Sequence, residues 1–231
     1  MCYMRFVCLL ASTLTAAAVL MSVTQSPTLQ RGVSVQMAVT NNAAPMPDAD
    51  NHDAWIVTIA DDGTVYFGID PFTPSELAEK MKTIPRRRDQ KLYIKADARA
   101  PFTVVEQVIE AGRTVFFDSP VLLTAQPGST EPGTPIAPKG LEVEVGTPPA
   151  GAVVTVVELF SSRQQPPILK INGDQISWPA LQSTLMQHFR KGDEKVILLK
   201  ADVRLPFADV AHTIDVCRST GATIVLAPPS I

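Results

Sequence analysis

The sequence predicts an α+β fold: two tandem copies of a small mixed sheet with two helices on one face, after one N-terminal apolar helix. Each copy reads β-β-α-β-α-β. Three observations carry this. Lys95 to Val105 and Lys200 to Val210 share seven of eleven residues at a spacing of 105, where typical residue frequencies give less than about one chance match. Around each block, short β-rich apolar runs alternate with stretches whose apolar residues recur every three or four positions, the periods of strand and helix. Between the blocks, Pro and Gly supply ten of the 25 residues from Gln126 to Ala150, a density that suits an extended spacer.

Taken in order, Arg5 precedes an uncharged apolar run from Phe6 to Val23. Its eighteen residues would make roughly 27 Å of helix, near the lower limit for a bilayer span. Residues 1–24 therefore read as a membrane anchor or as a signal peptide cut after Ala16-Ala17-Ala18. Both alternatives carry the rest of the chain across a membrane, because the cation on the N-terminal side favours N-inside orientation. Copy one spans 32–125, a linker 126–139 and copy two 140–231.

In copy one, Gly32 to Val39 is expected to be a leading strand, followed by a polar stretch from Asn41 to Asp53. Trp55 to Ala60 is a strand, and Asp62-Gly63 turns it into a second one from Thr64 to Phe67. Thr73, Pro74 and Glu76 supply a cap, a first-turn proline and a capping box, with Leu77, Met81 and Ile84 as the helix stripe. Lys91 to Ala96 is a buried strand. Pro101 opens a helix carrying Val104, Val105, Val108 and Ile109 that closes near Gly112, and Pro120 to Thr124 is the last strand. Copy two repeats this: strands at 153–159 and 168–171, a stripe of Leu181, Leu185 and Phe189, and a strand at 196–200. A helix from Pro206 then carries Val210, Ile214 and Cys217, stops at Gly221, and leads to a strand at 222–227. Leu141 to Val145, alternating apolar and acidic, is its leading strand.

Composition excludes several classes. With 45% apolar and 19% charged residues the chain is a folding one, and a net charge of −3 gives no footprint for nucleic acid. Of three cysteines, Cys2 and Cys8 sit in the N-terminal segment 1–24, leaving no disulfide framework and Cys217 as a buried apolar residue. His52, His188 and His212 are scattered and make no ligand set; His212 and Asp215 are expected to form a surface pair at most. Asp97 and Asp202 precede proline-started helices, where an aspartate shapes the turn by bonding its own loop. Lys95 and Lys200 are expected to be solvated at strand ends. Arg86-Arg87-Arg88 follows a helix end, where cations favour the macrodipole. The sequence thus offers no catalytic, cofactor-binding or metal set, and points to a non-enzymatic protein without a cofactor.

The order of elements, with the Lys-Ala-Asp block before Pro-Phe, resembles the periplasmic domain of the ExbD/TolR biopolymer-transport family. The resemblance rests on Ile56 to Phe67, the Thr73-to-Ile84 helix, Ile94 to Asp97, and Pro101-Phe102 with its helix. In the second copy it rests on Leu169 to Gly173, the Leu181 helix, Lys200 to Asp202 and Pro206-Phe207 through Gly221, and Gly32 to Met37 is similar to the family's post-membrane strand. It implies a single-pass inner-membrane protein, with the bulk of the chain periplasmic, in a proton-motive-force-coupled transport complex. Implied partners are a polytopic inner-membrane protein and a periplasmic energy-transducing protein, with the copies forming an internal pseudo-dimer or the chain a homo-oligomer. One departure matters. The family's membrane carboxylate, implied to move protons, has no counterpart, since Phe6 to Val23 contains no Asp or Glu, and Ser12, Thr13, Thr15 and Ser22 cannot titrate near neutral pH. The domain role is therefore expected without the proton-handling one. The alternative is a secreted tandem module that binds cell-wall polymer or peptide with the same fold.

Overall fold

The first hairpin forms as its turn chemistry predicts. Gly63 has φ +86°, which a residue with a Cβ adopts only under strain, and the Thr64 N–H donates to Asp62 Oδ1 at 2.8 Å. In the computed structural model, which describes residues 33–127, 137–162, 166–189 and 195–228, this turn joins β2 (Trp55–Ile59) to β3 (Val65–Phe67). A further strand that patterning missed, β4 (Asp70–Phe72), comes after Gly68. Then come α1 (Pro74–Lys82), β5 (Leu92–Ala96), α2 (Phe102–Arg113) and β6 (Val121–Thr124). The capping box at Thr73 is present in full.

After the linker, β7 (Lys139–Glu142) and β8 (Glu144–Val145) lead into β9 (Val154–Phe160), β10 (Ile168–Ile171) and β11 (Asp174–Ile176). The chain continues through α3 (Leu181–His188), β12 (Val196–Ala201), α4 (Phe207–Arg218) and β13 (Thr223–Leu226). The β10–β11 turn is Asn172-Gly173, with φ +51° and +93°, the two positive values that a two-residue hairpin turn of this hand needs.

Two sheets result. The first is ordered β1-β7-β6-β5-β2-β3-β4, where β1 is the pair Ala44–Pro45, and the second β11-β10-β9-β12-β13-β8. Within them, β4-β3-β2-β5-β6 and β11-β10-β9-β12-β13 share one connectivity: antiparallel within each hairpin, parallel across the two helix crossovers.

The leading strands depart from expectation. Over residues 33–40 there are only single-residue pairings, Met37 with Asp97 and Val39 with Ala125, because this segment runs past the ends of β5 and β6 rather than alongside them. The expected strand Leu141–Val145 is divided at Val143. Its first part, β7, pairs antiparallel with β6, and its second, β8, pairs parallel with β13. One extended segment thus belongs to both sheets. Gly140 makes the first pairing possible, since a Cβ there would strike Val121 Cγ1 and come 3.1 Å from the Leu122 carbonyl oxygen. Gly140→Ala is expected to lower stability by about 1–3 kcal/mol, as overpacking does, measured by urea unfolding.

Alternation sorts the strand residues between two cores. Leu92, Ile94, Ala96 and Leu122 enter a continuous core that includes Val57 and Ile59 from the first half and Val157, Leu199, Phe207 and Ile214 from the second. Tyr93, Val121 and Leu123 face the other way and pack on Met46 and Ala49. The polar stretch Asn41–Asp53 is therefore more than a spacer: it supplies β1, a one-turn 3-10 helix at Pro47–Asp50 and the apolar cover of that outer face. The outer face of the second sheet is more open, with Phe160 and Ile168 exposed. Among the described residues no helix is long and apolar enough to cross a membrane; the Phe6–Val23 segment lies outside the described residues.

Candidate functional site

The two repeated blocks fold into loops of one design and then meet. In the first, the Asp97 carboxylate accepts from the backbone N–H groups of Gln36 and Arg99 at 2.9 and 3.0 Å and from Arg99 Nε at 3.0 Å. In the second, Asp202 accepts from the Ser161 N–H at 3.3 Å, the Arg204 N–H at 3.0 Å and Arg204 Nε at 3.0 Å. Both aspartates therefore bond their own loops, as such turns favour. The Arg99 guanidinium, aided by the Arg99 and Gln36 N–H groups, holds the Asp97 carboxyl down at about 2 against the opposing effect of burial. Arg204 lowers Asp202 in the same way.

Pro101 and Pro206 start α2 and α4, and neither helix has a side-chain cap. The first N–H groups of a helix have no partner inside it, and here each helix finds them on the other half. Phe102 N–H donates to the Leu205 carbonyl at 2.9 Å and Thr103 N–H to that of Val203 at 3.1 Å. Reciprocally, Phe207 N–H donates to Ala100 at 2.8 Å and Ala208 N–H to Ala98 at 2.9 Å. Each donor and each acceptor maps onto its counterpart by the same 105 residues, so exchanging the halves leaves the pattern unchanged. That is the bonding logic of an isologous interface. The side chains beneath, Phe102, Phe207, Ala100 and Leu205, are all buried.

Other links lay outside sequence patterning. Asp215, expected on the surface beside His212, is 1% exposed. Its carboxylate accepts from the N–H groups of Asn41 and Asn42 at 2.9 and 2.7 Å, tying α4 to the segment before β1. His212 instead stacks on Trp178, with ring centroids 5.6 Å apart. Asp215 lies on the buried stripe of α4 against Asn41 and Asn42, while the neighbouring His212 turns toward Trp178. Only the helical period of Asp215 with Ala211 and Ile214, on the buried stripe, signalled its position. Cys217 is buried as expected, and burial pushes its thiol up to about 12.

The arginine run also departs from expectation. α1 ends at Lys82, so Arg86 to Arg88 lie beyond the last turn, where the helix dipole has faded. Lys80 and Lys82 occupy that turn. Arg86 lies over the Phe117 ring, 4.2 Å from its centroid, and Arg87 pairs with Asp53 at 3.2 Å and Asp89 at 3.7 Å. With Trp55, Phe67 and Ile84 they line an open cleft of about 410 Å³. Lys95 reaches the Val33 carbonyl at 3.4 Å, and Lys200 lies 3.9 Å from Glu158. Among the described residues no group of three or more His, Cys, Asp or Glu side chains could hold a metal ion.

The outer strands β4 and β11 are the hairpin edges of the two sheets. Each carries one residue whose backbone points away from its partner strand, Pro71 and Gln175, given that Phe67–Asp70 and Ile171–Asp174 flank the two-residue turns. Proline has no N–H to offer, so the first edge is blunted against pairing.

Comparison with protein families matches residues 9–126 to the biopolymer transport protein ExbD/TolR, just over half of the chain. The chain belongs to the ExbD/TolR family. No match is found among curated proteins or among solved structures. ExbD/TolR proteins are non-enzymatic transport accessories, anchored in the inner membrane with periplasmic domains, and the matched stretch begins inside the apolar segment and closes just after β6. Residues beyond Gln126 stand outside the match, although β9 to β13 share the connectivity of the matched part.

Proposed function

We propose that this ExbD/TolR protein is a membrane-anchored periplasmic accessory of a proton-motive-force-coupled transport complex for biopolymer or protein, built as a duplicated domain whose halves form an internal pseudo-dimer. It acts by binding other proteins. It does not itself supply the proton carrier, because the apolar segment has no carboxylate. The observation that carries this reading is the reciprocal capping of α2 and α4, by which one chain provides what two copies of a single domain would provide by pairing.

Two measurements on the full chain in mild detergent test it. The chain is expected to retain Met1 to Val23 in the membrane fraction and to co-purify with a polytopic membrane protein. Light scattering after size exclusion is expected to give one chain per particle in the absence of that partner. A mature N-terminus between residues 19 and 26 in the soluble fraction would instead identify the secreted module that binds cell-wall polymer or peptide. Chains of dimers in light scattering would sink the internal pairing.

A further inference from the structure

The junction between the halves is built twice, once by each helix, and the two versions differ. On the α4 side it is locked. Ala211 is fully buried, Asp215 holds the Asn41 and Asn42 N–H groups, and Arg218 Nη1 ties α4 to β7 of the first sheet by donating to the Glu142 carbonyl at 2.9 Å. On the α2 side, the residue 105 positions before Ala211 is Glu106. Its side chain lies with Phe102 and Ile109 against Leu199, Leu226 and Val145 of the other half, beside a gap of about 10 Å³. That is room for about one water.

Nothing neutralises this carboxylate. Among the described residues no hydrogen bond or ion pair reaches it. On its own helix, Glu110 is the next charged group toward the gap and is tied to Arg113 at 2.8 Å. From the strands that line the gap come only apolar groups: Val145 of β8, Leu199 and Ala201 of β12, Leu226 of β13 and Ala227 after it; α4, which also touches α2, carries Asp209, whose Oδ2 is buried without a partner. The neighbouring charges are engaged elsewhere. Lys200 is directed to Glu158, Arg204 to Asp202, and Glu144 lines a different cleft with Arg218. An ionised Glu106 must keep water in the gap, whereas a protonated one lets the apolar surfaces close.

We propose that the contact of α2 with the second sheet is a proton-sensitive joint: protonated Glu106 seats α2 on β12 and β13, and ionised Glu106 loosens that side while Asp215 keeps the other locked. Burial pushes the Glu106 carboxyl up to about 7 from its ordinary 4.5. A group raised in the closed state contributes full stability below its open-state value and loses it as pH rises through the closed-state value. The joint is therefore firm near pH 5 and opens on the way to pH 8.

Hydrogen exchange of the full chain in detergent, corrected for the intrinsic pH dependence of exchange, tests this. Opening of the α2 amides is expected to rise about tenfold between pH 6 and pH 8 in the native sequence. In Glu106→Gln it is expected to stay level, while any pH response of the α4 amides, where burial raises the Asp209 carboxyl, is expected to be the same in both chains. Carboxyl-carbon NMR of Glu106 in the unaltered chain is expected to titrate near pH 7. The same pH response in both chains, or a Glu106 midpoint in the ordinary glutamate range, overturns the joint and leaves the proposed transport role standing.

Discussion

Replacing Phe207 with alanine is expected to lower the unfolding free energy of the whole chain by about 3–5 kcal/mol, the range for a buried aromatic truncated to a methyl group. The Phe207 ring is fully buried, and its counterpart Phe102 is 2% exposed. Both sit directly under the reciprocal backbone bonds of the paired loops. A cavity there removes apolar contacts from a core that runs through both halves without a break. Urea unfolding of Phe207→Ala, followed by tryptophan fluorescence, is expected to move as one transition. Trp55 reports the first half and Trp178 the second, so the two Trp→Phe backgrounds separate the probes. Two transitions, with the Trp55 signal unmoved by Phe207→Ala, would show that the halves fold independently and share no cooperative core. The Phe102→Ala variant is expected to behave in the same way with the probes exchanged.

The second large effect is expected at Asp97. Asparagine there keeps the shape but puts an NH2 where one carboxylate oxygen accepted N–H donors, so either the Gln36 or the Arg99 donor loses its partner. Charge-assisted bonds of this kind contribute about 1.5–3 kcal/mol each, and a loss of about 3 kcal/mol is expected for Asp97→Asn at neutral pH. The pH dependence has a defined sign. The folded-state value of Asp97 is depressed to about 2 from 3.8. Its contribution is therefore fully present above about pH 4 and lost as pH falls toward 2. The gap between native and Asp97→Asn stability is expected to be level from pH 5 to 8 and to narrow below pH 4. A gap that widened on acidification would exclude this account. Glu106 runs in the opposite sense, losing its contribution as pH rises, so the two groups together favour a folded state in mildly acidic solution.

These effects concentrate where the halves join, and that junction explains why the protein reads as an interaction module. Among the described residues the two buried aspartates are used to hold loops: Asp97 and Asp215 each accept backbone N–H groups. The Arg86 cleft and the open outer face of the second sheet are two accessible surfaces, one lined by aromatic and guanidinium groups and the other by Phe160 and Ile168 beside Lys170. Proline at position 71 blunts one hairpin edge, whereas Gln175 leaves the other able to donate.

By itself, the sequence determined the local elements and their order. The Asp62-Gly63 turn, the Thr73 capping box, the proline-started helices and the period-two and period-3.6 runs are short-range signals. They depend on backbone sterics and on residues within a few positions of one another, and apart from the two leading strands they appear where patterning placed them. The strand sets β4-β3-β2-β5-β6 and β11-β10-β9-β12-β13 share one connectivity.

Only the tertiary structure decided which partner each unsatisfied group would find. Gln36 meets Asp97 across 61 positions, and Asn42 meets Asp215 across 173, separations that leave no trace in a local pattern. The alternation of Leu141 to Val145 announced a strand, but its division between two sheets depended on both sheet edges being present at once. The same reason applies to the paired loops. Residues around Pro101 and Pro206 look like two isolated helix starts until the halves approach, because a backbone N–H is identical in every residue and only its neighbours in space settle what it bonds.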